Sequence, residues 1–182
     1  MIGRTISAMM FMVAAIAACS PEDMSPGRAF HDVAVVGLAP GPEDNQESIV
    51  QVYAARSYEA LSRMVSVHTW IAVRRERERK YTIYEAHRFR PYVSGRAVRI
   101  CQKDYPDRKW HGAEPALLFE VREEPAERAI AGIEEAVSAY RDRYRLWPGP
   151  NSNTLTAELA RSVDELQVDL PPTAIGKDFL PG

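Results

Sequence analysis

Apolar positions follow two rhythms along this chain. From residue 49 to residue 121 they alternate with polar ones or gather in short β-branched runs; from residue 124 to residue 166 they recur every three or four positions. The first rhythm sends successive side chains to opposite faces of a strand, and the second draws one stripe down a helix. Strands are therefore predicted over residues 49–54, 65–73, 81–89, 97–101 and 117–121. The charged run at residues 74–80 reads as the solvated connection of a hairpin, because its glutamates interleave with its basic residues. A helix is predicted over 124–145, with Ile130, Ile133, Val137, Tyr140 and Tyr144 on its buried stripe. Trp147-Pro148-Gly149-Pro150 is a stiff break, and a second helix over 152–166 follows, with Leu155, Leu159 and Val163 on one face. From Leu170 onward the chain reads as extended or loop. Strands first and helices after predict an α+β domain: an antiparallel sheet with helices packed on one face.

The first 48 residues follow neither rhythm. Arg4 and the α-amino group form a short positive region, an apolar stretch follows, and small residues lead to Cys19. That is the layout of a secretory signal, too short for a stable membrane anchor. Ile16-Ala17-Ala18-Cys19 resembles the lipobox of bacterial lipoproteins. The resemblance implies cleavage before Cys19, a diacylglycerol on its thiol and, with Ser20 next, sorting to the periplasmic side of the outer membrane. Ordinary signal cleavage after Ala17 or Ala18 is the competing reading. Residues 20–48 carry Pro21, Pro26, Pro40 and Pro42 and read mainly as a tether, although a patch at 33–38 is apolar enough to form a strand or dock. The expected division is a signal at 1–19, a tether at 20–48 and one domain at 49–182.

Charge removes one class of partner. With 23 basic and 25 acidic residues the formal charge is −2, and nothing points to nucleic acid. The chain has two cysteines. A lipid on Cys19 leaves no intrachain disulfide, so Cys101, in an alternating stretch, reads as a buried thiol.

Three places carry candidate chemistry. His68 shares a strand face with Trp70, and Glu85 shares one with His87 on the next strand, so pairing of the two strands can set His68 beside Glu85. Asn151 is a good N-cap, which makes Ser152 the first helical residue, above Leu155 and Leu159 and facing the sheet. The order of His strand, acid strand and helix carrying a small nucleophile resembles the permuted papain-like clan, which includes NlpC-type cell-wall peptidases and lecithin:retinol acyltransferase-type enzymes. The resemblance implies a cell-envelope hydrolase or acyl/amide transferase acting on peptidoglycan amides or lipid acyl groups. Ser152 would be the nucleophile, His68 the general base and Glu85 the residue orienting the His. Trp70, Trp147, Gly149, Asn151 and Asn153 would line the pocket. The clan carries Cys where this chain has Ser152, so a catalytically inactive envelope binding module is the alternative function, and a structural lipoprotein without ligand is a third. Plainer roles stand beside each residue: Ser152 as a first-turn cap, His68 as a core histidine, Glu85 as a hairpin residue paired with an arginine. His68, Glu85 and His87 lack a further ligand at metal spacing, so neither metal nor cofactor is expected. His111, in Trp110-His111-Gly112, reads as a surface loop residue.

A second resemblance covers nearly the whole domain. The strings at residues 50–56, His68-Thr69-Trp70-Ile71-Ala72-Val73, Trp147-Pro148-Gly149-Pro150-Asn151-Ser152-Asn153-Thr154 and Leu170-Pro171-Pro172-Thr173-Ala174-Ile175-Gly176-Lys177-Asp178 are similar to an uncharacterised family of bacterial proteins, a domain of unknown function. That similarity implies membership and no activity.

Overall fold

The computed structural model describes residues 34–41, 43–44, 46–57, 65–87 and 97–180. The signal, Cys19 and most of the tether lie outside the described residues. So do the end of the third predicted strand and the residues between it and the fourth. Five strands form, β1 (Ile49–Arg56), β2 (Val67–Arg74), β3 (Tyr81–Ala86), β4 (Val98–Lys103) and β5 (Ala116–Arg122), followed by helices α1 (Glu123–Ala139) and α2 (Ser152–Ser162). The strands make one antiparallel sheet in the order β4-β3-β2-β1-β5. The fold is α+β, with both helices on one sheet face.

The helical face is built from every second strand residue. Val50 and Val52 of β1, Ile71 and Val73 of β2, and Tyr84 and Ala86 of β3 pack with Ala126, Ile130, Ile133 and Val137 of α1 and Leu155 and Leu159 of α2. The predicted stripes are the buried ones. The helix predicted to reach residue 145 nevertheless stops at Ala139, and Tyr140 caps it in an extended conformation. Tyr140 and Tyr144 still pack on the core. They do so from an extended segment tied to the sheet by Ala97 N–H donating to the Asp142 carbonyl at 3.0 Å. Apolar spacing alone does not separate these two routes to burial.

The opposite face is covered by chain rather than solvent, so β1 and β3 are buried along almost their whole length instead of alternating. Ile49, Tyr53, Trp70, Ala72, Tyr81, Ile83 and Cys101 form a second core there, with Ala39, Trp110, Ala113 and Leu117 against it. Residues 34–41, read mainly as tether although the patch at 33–38 was apolar enough to form a strand or dock, lie across this face as a strap. Asp107 holds them: its Oδ2 accepts from the N–H groups of Gly37 at 2.7 Å, Leu38 at 2.6 Å and Ala39 at 3.3 Å. Val35 also bridges Arg108.

Arg74 corrects the reading of residues 74–80 as a solvated turn. It is 0 % exposed, its guanidinium lies 4.5 Å from the centre of the Tyr81 ring, and Nη1 donates to the carbonyls of Pro40 at 3.4 Å and Gly41 at 3.0 Å. Alternation places Arg74 on the strap side, where two carbonyls and an aromatic face receive it. The rest of the run is exposed, and Arg75 forms a two-pronged pair with Glu134 of α1 at 2.8 and 3.0 Å. Cys101 is buried, as its alternating stretch predicts, but it is disulfide-bonded rather than a lone thiol. No described helix is long and apolar enough to cross a membrane.

Candidate functional site

Alternation decides where each candidate residue sits. On β2, Thr69 faces the helices: its Oγ1 lies 2.9 Å from Thr156 Oγ1, 3.0 Å from Asn153 Oδ1 and 3.3 Å from the Ser152 carbonyl. His68 and Trp70 are its neighbours and so project from the other face. Ser152 opens α2 on the helical side, and the sheet lies between it and His68. The structure thus brings His68 and Glu85 together and does not bring Ser152 to them. Ser152 is buried on the helical side, where its carbonyl lies 3.3 Å from Thr69 Oγ1; strand alternation alone left open which face of the sheet carried the histidine.

His68 Nε2 and Glu85 Oε2 are 3.1 Å apart. Glu85 is 2 % exposed and stands directly across from Arg99 of β4, whose Nη1 lies 3.5 Å from the other carboxylate oxygen. Burial by itself would raise the Glu85 carboxyl. The hydrogen bond from His68 and the charges of Lys103, His68 and Arg99 outweigh burial and hold it well below the usual carboxylate range. An ionised carboxylate only accepts, so the proton at this contact belongs to His68 Nε2, which leaves Nδ1 as the imidazole's acceptor when the ring is neutral.

Trp110 completes the cluster. Its indole stacks on His68 with ring centres 4.0 Å apart and planes 9° from parallel, while His87 at 6.1 Å and His111 at 4.9 Å meet it edge-on. Trp70 lies beneath, 5.8 Å from His68 and 6.0 Å from Trp110. Three of the four histidines of the chain therefore surround one indole. Trp110 and Ala113 exchange both backbone hydrogen bonds, at 2.8 and 2.9 Å. The turn between them has positive φ at His111 (46°) and Gly112 (84°), the two-residue geometry of a type I′ hairpin. It turns His111 back toward the indole, so His111 belongs to the cluster and is not an isolated surface residue. His87 is held below the ordinary histidine pKa, chiefly by burial and also by the charges of His68, Arg99 and His111, with Glu85 opposing. Among the described residues no group of three His, Cys, Asp or Glu side chains is placed to hold a metal ion.

Trp110, His111 and Arg99 were not predicted as site residues. The Glu85–Arg99 pairing follows only from the β3–β4 register. The Trp110 turn is short and polar, and nothing local indicates that it folds over β2.

The remaining predicted site residues build a clamp on the helical side. Asn151 caps α2, its side chain accepting from the N–H groups of Asn153 at 3.0 Å and Thr154 at 3.2 Å; its amide also donates to the carbonyls of Leu146 at 3.1 Å and Ile175 at 3.0 Å. Asn153 Nδ2 donates to the carbonyls of Val67 at 3.0 Å and Ile175 at 2.9 Å. Thr154 Oγ1 donates to the Gly176 carbonyl at 2.7 Å. Gly176 has φ +94°, and a Cβ there would come within 2.5 Å of the Asn151 amide nitrogen. Gly149 likewise packs against Thr154 and Phe179. Trp147 stands 73 % exposed in the segment leading into α2. These polar groups are spent on holding β2, α2 and the C-terminal segment together. The strings around Thr69, Asn151 and Gly176 thus meet at one structural junction. Neither a curated protein nor a solved structure matches the chain. Residues 47–179, however, match the model of the family described as protein of unknown function, DUF3750, and the chain belongs to that family.

Proposed function

We propose that this protein is an exported, non-catalytic binding module of the cell envelope, and that its ligand docks at the cluster of His68, His87, Trp110 and His111. The observation that carries this reading is the separation of Ser152 from the His68–Glu85 pair by the sheet. A general base must reach its nucleophile at about 2.6–3.2 Å, directly or through one water. The permuted papain-like reading retains the order of His strand, acid strand and helix, but it needs the helix N-terminus on the histidine's side. A Ser152-dependent hydrolase or acyltransferase is therefore the weaker reading.

The cluster's chemistry favours an anionic ligand with an apolar face. His68, Arg99 and Lys103 already compensate the Glu85 carboxylate, His87 and His111 add two further imidazoles around Trp110, and the indoles offer area for stacking. In the envelope, the carboxylate-bearing peptides and sugar rings of peptidoglycan fit that description. Co-sedimentation with purified peptidoglycan tests it. Binding is expected to fall at least several-fold in His68→Ala and to be unchanged in Ser152→Ala. Turnover of peptidoglycan that is lost in Ser152→Ala and His68→Ala alike would return the nucleophile reading.

The lipid anchor on Cys19, carried by the lipobox-like run, competes with the disulfide at Cys101, and the proposal of export holds with either. Cys19 is the only other cysteine, so within one chain a lipid on its thiol and a disulfide to Cys101 exclude each other. Mass spectrometry of the membrane-extracted protein separates them: a diacylglycerol-bearing Cys19 supports the anchor, and a peptide cross-linked to Cys101 overturns it.

A further inference from the structure

Trp147 and Leu180, the two most exposed large apolar side chains among the described residues, lie at one corner of the fold. Trp147 is 73 % exposed, Leu180 70 %, and Leu146 beside them 47 %. Hydrogen bonds hold this corner together. Arg145 N–H donates to the Pro150 carbonyl at 2.7 Å and closes residues 146–149 into a loop. Pro148 and Pro150 each fix a backbone torsion within it. The Asn151 amide donates to the carbonyls of Leu146 at 3.1 Å and Ile175 at 3.0 Å, joining the loop to the C-terminal segment. A Cβ on Gly149 would lie 3.0 Å from the Phe179 side chain, so the loop packs against the residue that precedes Leu180.

The extended segment leading into the loop alternates. Asp142 and Tyr144 are half-buried, and Tyr144 packs on the core, whereas Arg141, Arg143 and Arg145 are exposed. Arg141 turns back to the end of α1 and donates to the carbonyls of Ser138 at 2.5 Å and Tyr140 at 2.9 Å. Among the described residues no ion pair includes Arg143 or Arg145. Lys177 and Asp178 pair at 3.1 Å and add no net charge. The corner thus joins a rigid apolar tip to a positive excess.

We propose that this corner is a contact surface for an anionic lipid bilayer. Trp147, Leu146 and Leu180 enter the headgroup boundary, and Arg143 and Arg145 meet lipid phosphates. An indole suits that boundary because its body is apolar and its N–H seeks a wet acceptor. A protein partner could cover the tip, but it would need carboxylates in register with two arginines. An anionic bilayer presents negative charge along the whole boundary and needs no register. The corner lies on the helical side of the sheet, so it and the histidine cluster can be occupied together. The proposal rests neither on the ligand of that cluster nor on a lipid at Cys19.

Fluorescence of the full chain with vesicles of brominated phosphatidylglycerol or brominated phosphatidylcholine tests it. Trp70 is buried and Trp110 lies in the histidine cluster, so Trp147 is the indole that bromine reaches. Quenching is expected with phosphatidylglycerol, should weaken as salt is added, and should be far smaller with phosphatidylcholine. A lipid on Cys19 would hold the chain to both vesicles alike, so the difference between them reports the corner. Trp147→Phe should remove the quenched emission. Arg143→Gln and Arg145→Gln should each weaken binding to phosphatidylglycerol vesicles roughly fivefold. His68→Ala should change neither result, which separates this test from that of peptidoglycan binding. Equal quenching by the two vesicles, or none by either, overturns the proposal. Self-association that disappears in Trp147→Ala, with no quenching by vesicles, assigns the corner to a second copy of the chain instead.

Discussion

A carboxylate with 2 % exposure stays ionised only where its surroundings replace the lost water, and Glu85 is flanked by His68 and Arg99 for that purpose. Its depressed pKa makes it a source of acid sensitivity. The unfolded chain takes up this proton near pH 4.5 and the folded chain only well below that. The stabilisation is therefore complete above about pH 4.5 and is lost as pH falls from there toward the folded pKa. His87 has the same sign and begins earlier: its folded pKa lies below 6.5, so stability declines as pH falls through that value. Urea denaturation between pH 3 and pH 7 should show both declines. Glu85→Gln should cost several kcal/mol at pH 7, about 3–5 kcal/mol being typical of one partner removed from a buried pair, and this cost should shrink in acid. An equal cost at both ends of the range would show that Glu85 is not ionised in the native state. The pairing of His68 with Glu85 was legible as two polar residues on neighbouring strand faces. Arg99 was not, because its register depends on where β4 begins.

At the scale of elements, the N-terminus of α2 shows how one local pattern serves either of two ends. Asn151 as N-cap and Ser152 as first helical residue follow from the sequence, and the structure has both. Whether that turn activates a nucleophile or locks a junction depends on what faces it. It faces Thr69 of β2 and the carbonyls of Val67, Ile175 and Gly176. Asn151→Ala removes a cap and two further donated hydrogen bonds. The cap alone is worth about 0.5–2 kcal/mol. The expected loss exceeds that range, since the carbonyls of Leu146 and Ile175 each lose a donor. Chemical denaturation checks it. A loss below about 0.5 kcal/mol would mean that the junction contributes little. Ligand binding at His68, on the other face, should persist wherever the variant is folded.

For the whole molecule the decisive feature is that both sheet faces are covered. The strap at 34–41 is held by one carboxylate receiving three backbone N–H groups and by Arg74 against two carbonyls. Asp107→Ala should release it, exposing the apolar face around Tyr53, Tyr81 and Ile83. Limited proteolysis should then cut at residues 34–44 much faster, with increased binding of a hydrophobic dye. Unchanged cleavage would mean that Arg74 and the Val35–Arg108 bridge hold the strap without Asp107.

Hydrophobic period, turn residues and capping chemistry act within a few residues of chain. They were enough to determine five strands followed by two helices, the inward stripe of each helix and the α2 cap. The strap, the Trp110 turn over β2 and the burial of Arg74 join residues far apart in the chain and leave no local period, so only the tertiary structure decided them. It also decided the site. A strand's alternation says that His68 and Thr69 face opposite ways, but not which of them meets the helices; packing of Ile71 and Val73 against α1 and α2 settles that, and with it the separation of Ser152 from His68.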